Sequence, residues 1–72
     1  MAEIVLRVRL ISGEHLDVVY KDDGAPDDVL ERIISTLAED GGVLRCRHGE
    51  RLIVLYGRGI ASFEVAPRGA VL

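Results

Sequence analysis

PDDVLERIISTLAED, residues 26–40, is the only stretch of this chain with a sustained helical period. Val29, Leu30, Ile33, Ile34, Leu37 and Ala38 fall on one side of such a helix, and Asp27, Asp28, Glu31, Arg32 and Glu39 on the other. Pro26 suits the first helical position, and the acidic residues after it suit the positive end of the helix dipole. Gly41-Gly42 offers a left-handed exit at the other end. A single helix with so wide an apolar stripe needs one sheet to cover, and the rest of the chain reads as strand.

Downstream of the helix, VLRCR (43–47) alternates Leu44 and Cys46 against Arg45 and Arg47. HGE (48–50) is a tight connection. RLIVLY (51–56) is nearly all apolar, which suggests a strand that is central or covered on both sides. GRG (57–59) turns the chain into IASFEVA (60–66), which ends at Pro67. Upstream, IVLRVRLI (4–11) sets Leu6, Val8 and Leu10 against Arg7 and Arg9. Ser12, Gly13 and Glu14 form a loop, and HLDVVY (15–20) returns as a hairpin. KDDGA (21–25) is a turn cluster leading to the helix. The order is β-β-α-β-β-β. Its physical solution is an α+β, two-layer sandwich, one helix packed on a mixed four- to five-stranded sheet. Residues 1–66 make a single domain, with 67–72 as a C-terminal tail. The expected core is Leu6, Val8, Leu16, Val18, Leu30, Ile33, Ile34, Leu37, Phe63 and Val65.

Only one small core fits in 72 residues, and only three of those residues are aromatic, so the core is built from Val, Leu and Ile. The 49% apolar fraction exceeds what one helix and one sheet face can hide, which points to an oligomer contact. The single cysteine permits no internal disulfide, and with two histidines at these spacings it makes no zinc site. Apolar runs are too short for a membrane span, and no secretory signal opens the chain, so a cytoplasmic protein is expected. The net charge of −3 is unevenly spread: +1 over residues 1–13, −7 over 14–40 and +3 over 41–72. The helical side is acidic and the strands are basic.

The run Val8-Arg9-Leu10-Ile11-Ser12-Gly13-Glu14-His15-Leu16-Asp17-Val18, followed by Val29 and Ile33 on the helix, resembles the opening hairpin and helix anchors of the β-grasp, or ubiquitin-like, family. That resemblance covers residues 4–40. The later hairpin with Ile60-Ala61-Ser62-Phe63-Glu64-Val65 resembles small uncharacterised actinobacterial proteins, which bring no activity with them. The β-grasp resemblance implies a binding scaffold that works through an open sheet face or an edge strand. Carrier members of that family end in Gly-Gly, whereas this chain ends Arg68-Gly69-Ala70-Val71-Leu72.

Arg7, Arg9, Arg45 and Arg47 are the sharpest candidate site. Their strands alternate alike, so apolar residues turned to the helix leave all four guanidinium groups on the uncovered face, with Asp17 and Glu64 as local counter-charges. Such a face suits a protein partner or a second copy of the chain. The alternative is a nucleic-acid-binding regulator using the same four arginines with Arg58, but the chain is acidic and short of aromatic stacking platforms. Exposed edges are expected at 15–20 or at the last strand.

Cys46 and His48 share a strand face, yet no third group is placed to orient them, and alternation puts Cys46 on the apolar side. His15 reads as a hairpin surface residue. Asp22, Asp23, Asp27 and Asp28 lack calcium-loop spacing and suit turns and caps. Gly57-Arg58-Gly59 reads as a turn. No phosphate-cradling or nucleophile-elbow motif is present. The expectation is a non-catalytic interaction or self-assembly module with no cofactor and no metal.

Overall fold

The computed structural model describes residues 2–65. Five strands and one helix follow in the expected order: β1 (Ala2–Leu10), β2 (His15–Asp22), α1 (Pro26–Ala38), β3 (Val43–His48), β4 (Arg51–Tyr56) and, after a short 3₁₀ turn (Gly57–Gly59), β5 (Ile60–Val65). The expected tail, 67–72, lies outside the described residues.

The strands form one sheet in the order β4-β3-β2-β1-β5. Every pairing in it is antiparallel, which corrects the expected mixed sheet. Val19 pairs with Arg47, so β3 starts beside the end of β2. The chain therefore leaves the sheet into α1 and re-enters it at the same end. A parallel neighbour would need α1 to carry the chain to the opposite end.

α1 begins as its sequence dictates. Pro26 stands in the first turn with Asp27 and Asp28, and the Val29 N–H donates to the Ala25 carbonyl at 2.9 Å. Its exit differs from expectation: neither Gly41 nor Gly42 adopts a positive φ. Gly42 is required for proximity instead, because a Cβ there would stand 1.7 Å from the Thr36 carbonyl oxygen. Gly57 is confined in the same way: a Cβ there would stand 2.6 Å from the Leu37 oxygen and 2.7 Å from the Glu39 oxygen. Its N–H donates to the Gly42 carbonyl at 2.9 Å. Two bare backbones thus let the C-terminal turn of α1 settle directly on the sheet.

Leu6, Val8, Val18, Val29 and Ile33 are fully buried, and each such side chain contributes about 1.5–3 kcal/mol of transfer free energy. Ala2, Ile4, Leu44, Cys46 and Leu55 complete the core, while Leu16, Leu30, Leu37 and Phe63 pack against it half-buried. Two expected core residues stand outside it, Ile34 at 44% exposed and Val65 at 50%. The contacts of α1 with the sheet concentrate on β1 and β3, so its cover runs out before β5. Ile34 is one residue beyond the buried Ile33, a rotation of about 100° away from the sheet.

Candidate interaction surface

Directly opposed residues in an antiparallel sheet share a face, so the register sorts the side chains. Arg7 opposes Asp17 and Glu64, Arg9 opposes His15 and Ser62, Val5 opposes Val19, and Val19 opposes Arg47. Across β3, Arg45 opposes Val54, Arg47 opposes Leu52 and Val43 opposes Tyr56. Leu6, Val8, Leu44 and Cys46 are buried on the other side, under α1. Arg7, Arg9, Arg45 and Arg47 therefore stand together on the face that α1 leaves uncovered.

The four do not form a single cluster. Arg7 and Arg9 line an open groove of about 850 Å³ over β5, β1 and β2, with His15, Asp17, Ser62 and Glu64. Arg45 and Arg47 border a smaller one of about 170 Å³, with Val19, Lys21 and Leu52. In the first groove Arg7 Nε donates to Asp17 Oδ1 at 3.1 Å. That hydrogen bond and then the charge of Asp17 raise the Arg7 pKa, desolvation opposes them, and the charge of Glu64 adds a lesser lift. Lys21 lies 3.8 Å from Glu3. Arg9, Arg45 and Arg47 make no ion pair among the described residues, and Arg47 instead donates to the Glu50 carbonyl at 3.2 Å. Of the expected pairing with Asp17 and Glu64, only the Arg7–Asp17 ion pair is made among the described residues, Glu64 acts on Arg7 through its charge alone, and neither carboxylate reaches the other three arginines.

β4 departs most from its expected place. It is an edge strand, not a central one, and its alternate residues stand on the uncovered face: Leu52 is 56% exposed, Val54 38% and Tyr56 53%. The Arg58 guanidinium lies 5.6 Å from the centre of the Tyr56 ring, within cation–π range. The surface is thus two-part, a polar and partly paired half over β5-β1-β2 and an arginine-plus-apolar half over β3-β4. The apolar column was missed because an almost wholly apolar hexamer carries no mark of being at an edge. Of the two strands expected at an edge, β5 is at one and β2 is interior.

The remaining candidates have other partners. The Cys46 thiol donates to the Ile53 carbonyl at 3.4 Å, and burial pushes its pKa up to about 11. His48 donates from Nδ1 to the Asp17 carbonyl at 2.6 Å, linking β3 to β2, so Cys46 and His48 do not face one another as a pair. Asp22 works as a turn carboxylate, accepting from the Gly24 N–H at 3.4 Å and from Arg32 Nη1 at 2.9 Å. Burial pushes the Asp22 pKa up, but the backbone N–H groups of Asp23 and Gly24, with Arg32 and the Tyr20 hydroxyl, outweigh it and leave a net lowering. Among the described residues no three His, Cys, Asp or Glu side chains gather as metal ligands. No described helix is long and apolar enough to cross a membrane.

Compared with protein-family models, curated proteins and solved structures, the chain matches none. The fold stands as a small α+β domain, one helix on a five-stranded antiparallel sheet.

Proposed function

We propose that this chain is a small, non-catalytic, cytoplasmic module for protein interaction and self-assembly that works through the uncovered sheet face and its edge. The observation that carries this is the half-exposed column Leu52, Val54 and Tyr56, beside Arg45 and Arg47, on an edge strand. Apolar side chains in a row along an unpaired edge gain free energy when another chain covers them. The β-grasp-like layout of residues 4–40 agrees with such use, since binding through an open face or edge is what that resemblance implies.

A second reading, nucleic-acid binding through Arg7, Arg9, Arg45, Arg47 and Arg58, draws on one specific feature. Tyr56 offers an exposed ring with a guanidinium over it, a geometry that suits a stacked base. The protein reading is favoured because Leu52 and Val54 offer a phosphate backbone nothing.

Light scattering behind size exclusion, run over a concentration series beside a low-salt RNA and DNA shift panel, separates the two. The protein reading predicts a mass that rises above the 7.9 kDa of the chain, with no nucleic-acid shift. A constant monomer with a shift that weakens steeply in salt would replace it with the second reading.

A further inference from the structure

We infer that the occupant of the β4 edge is the β4 edge of a second copy of this chain, paired antiparallel about a twofold axis at Val54. The inference rests on the interaction reading above and names its partner and register.

Backbone polarity comes first. The Gly57 N–H donates to the Gly42 carbonyl, which makes that opposed pair a hydrogen-bonded one. Bonded and non-bonded pairs alternate along an antiparallel ladder. With Leu44 opposite Leu55, Cys46 opposite Ile53 and His48 opposite Arg51, those pairs are bonded, and Arg51, Ile53 and Leu55 spend their N–H and C=O groups on β3. Leu52, Val54 and Tyr56 direct theirs outward, away from the sheet. On β4, the residues with exposed apolar side chains are thus the same ones whose backbone groups are unspent among the described residues.

Register comes second. A twofold axis through Val54 sets Val54 against the partner's Val54, and Leu52 against the partner's Tyr56. Each of these is a bonded pair, so the outward groups of both copies satisfy one another. Opposed residues share a face, so the helices of both copies lie on one side of a continuous sheet and the two apolar columns merge on the other. An axis shifted by half a residue would oppose Leu52 to the partner's Leu55, whose backbone groups are already spent, and among axes that pass through a residue only the one at Val54 pairs all three of Leu52, Val54 and Tyr56 with one another across the interface. The antiparallel pairing also sets the turn before β4, which carries Glu50, at the same end as the partner's 3₁₀ turn after β4, which carries Arg58, an opposition of charge made twice by symmetry. Neither residue has an ion-pair partner among the described residues of its own copy.

The contrast between the two edges supports the choice. β5 carries Glu64 on its open face, and its pairing with β1 shifts register between Arg9 and Leu10. Charges and bulges are the devices that keep edges apart. Residues 52–56, Leu-Ile-Val-Leu-Tyr, contain neither a charge nor a proline.

The test is light scattering on the full chain and four variants, with circular dichroism confirming the fold of each. Val54→Lys changes a partly exposed edge side chain and places two ammonium groups at the axis. It is expected to return the dimer to a single-chain mass. Glu50→Arg is expected to raise the dissociation constant about tenfold, and Glu50→Arg with Arg58→Glu to restore it. Arg9→Glu, on the far half of the face, is expected to leave the dimer intact. A wild-type chain that stays monomeric at millimolar concentration overturns the inference while a heterotypic partner still fits the wider reading. A dimer that survives Val54→Lys but falls to Arg9→Glu overturns it in favour of the Arg7–Arg9 groove, and a dimer that survives both overturns it outright.

Discussion

Cys46 and Gly57 show how single positions take their roles from burial and contact more than from type. The Cys46 thiol is held under α1 with its proton directed at the Ile53 carbonyl. Its alternation with Arg45 and Arg47 was enough to place it on the apolar side. Modification by a soluble disulfide reagent at pH 8 is expected to be slow in the folded chain and fast in denaturant. The pH dependence has a defined sign. An unfolded thiol ionises near 9.0 and the folded one near 11, so the stability linked to this proton is whole below pH 9 and is lost as pH rises through 11. A denaturant midpoint that does not fall over that window would contradict the burial of Cys46. The sequence marks Gly57 as part of a turn and carries no sign of its contact with the helix end, because a close approach between two segments leaves no trace in either one's own sequence. Gly57→Ala, with the Leu37 and Glu39 oxygens inside contact distance of its Cβ, is expected to cost about 1–3 kcal/mol in chemical denaturation. A neutral result would mean that the helix end sits less closely than described.

At the scale of elements, the start and the apolar stripe of α1 were legible, and its exit and its placement were not. Periodicity drew its apolar stripe, and Val29 and Ile33, the two fully buried residues, lie within it. What periodicity did not show is the edge of the contact, where Ile34 turns to solvent. Ile33→Ala is expected to cost about 3 kcal/mol and Ile34→Ala less than about 1 kcal/mol, measured as denaturant midpoints. Equal costs would mean that the helix is rolled away from its described orientation. The first cost is severe for a chain this small, whose total stability is of order a few kcal/mol. β4 illustrates the opposite failure. Its composition, RLIVLY, is what a doubly covered strand looks like, and only the pairing order reveals that one of its faces and one of its edges are open. The antiparallel set of the sheet was hidden for a related reason. Whether a helical connection returns to the near or the far end of a sheet depends on which strands it lands between, and here Val19 opposite Arg47 decides it.

Across the described residues, the acidic side chains of the helical segment and the four sheet arginines stand on opposite surfaces. The acidic residues of 26–40 ride on the outer side of α1, the core lies beneath, and the opposite surface carries Arg7, Arg9, Arg45 and Arg47 with the β4 column. Strand alternation was sufficient to place the four arginines on one face. Their division into two grooves required the strand order, because two strands that alternate alike can lie side by side or apart. Part of the apolar excess of the composition stands at residues 52, 54 and 56, on an edge that no described strand pairs, while Ile11, Ile34 and Val65 are exposed elsewhere. Amide hydrogen exchange followed by NMR across a concentration series tests that edge most directly. The N–H groups of Leu52, Val54 and Tyr56 are expected to exchange freely in dilute solution and to become protected as concentration rises, while those of Ile53 and Leu55, bonded to β3, stay protected throughout. Exchange at 52, 54 and 56 that remains fast at every concentration would contradict the account.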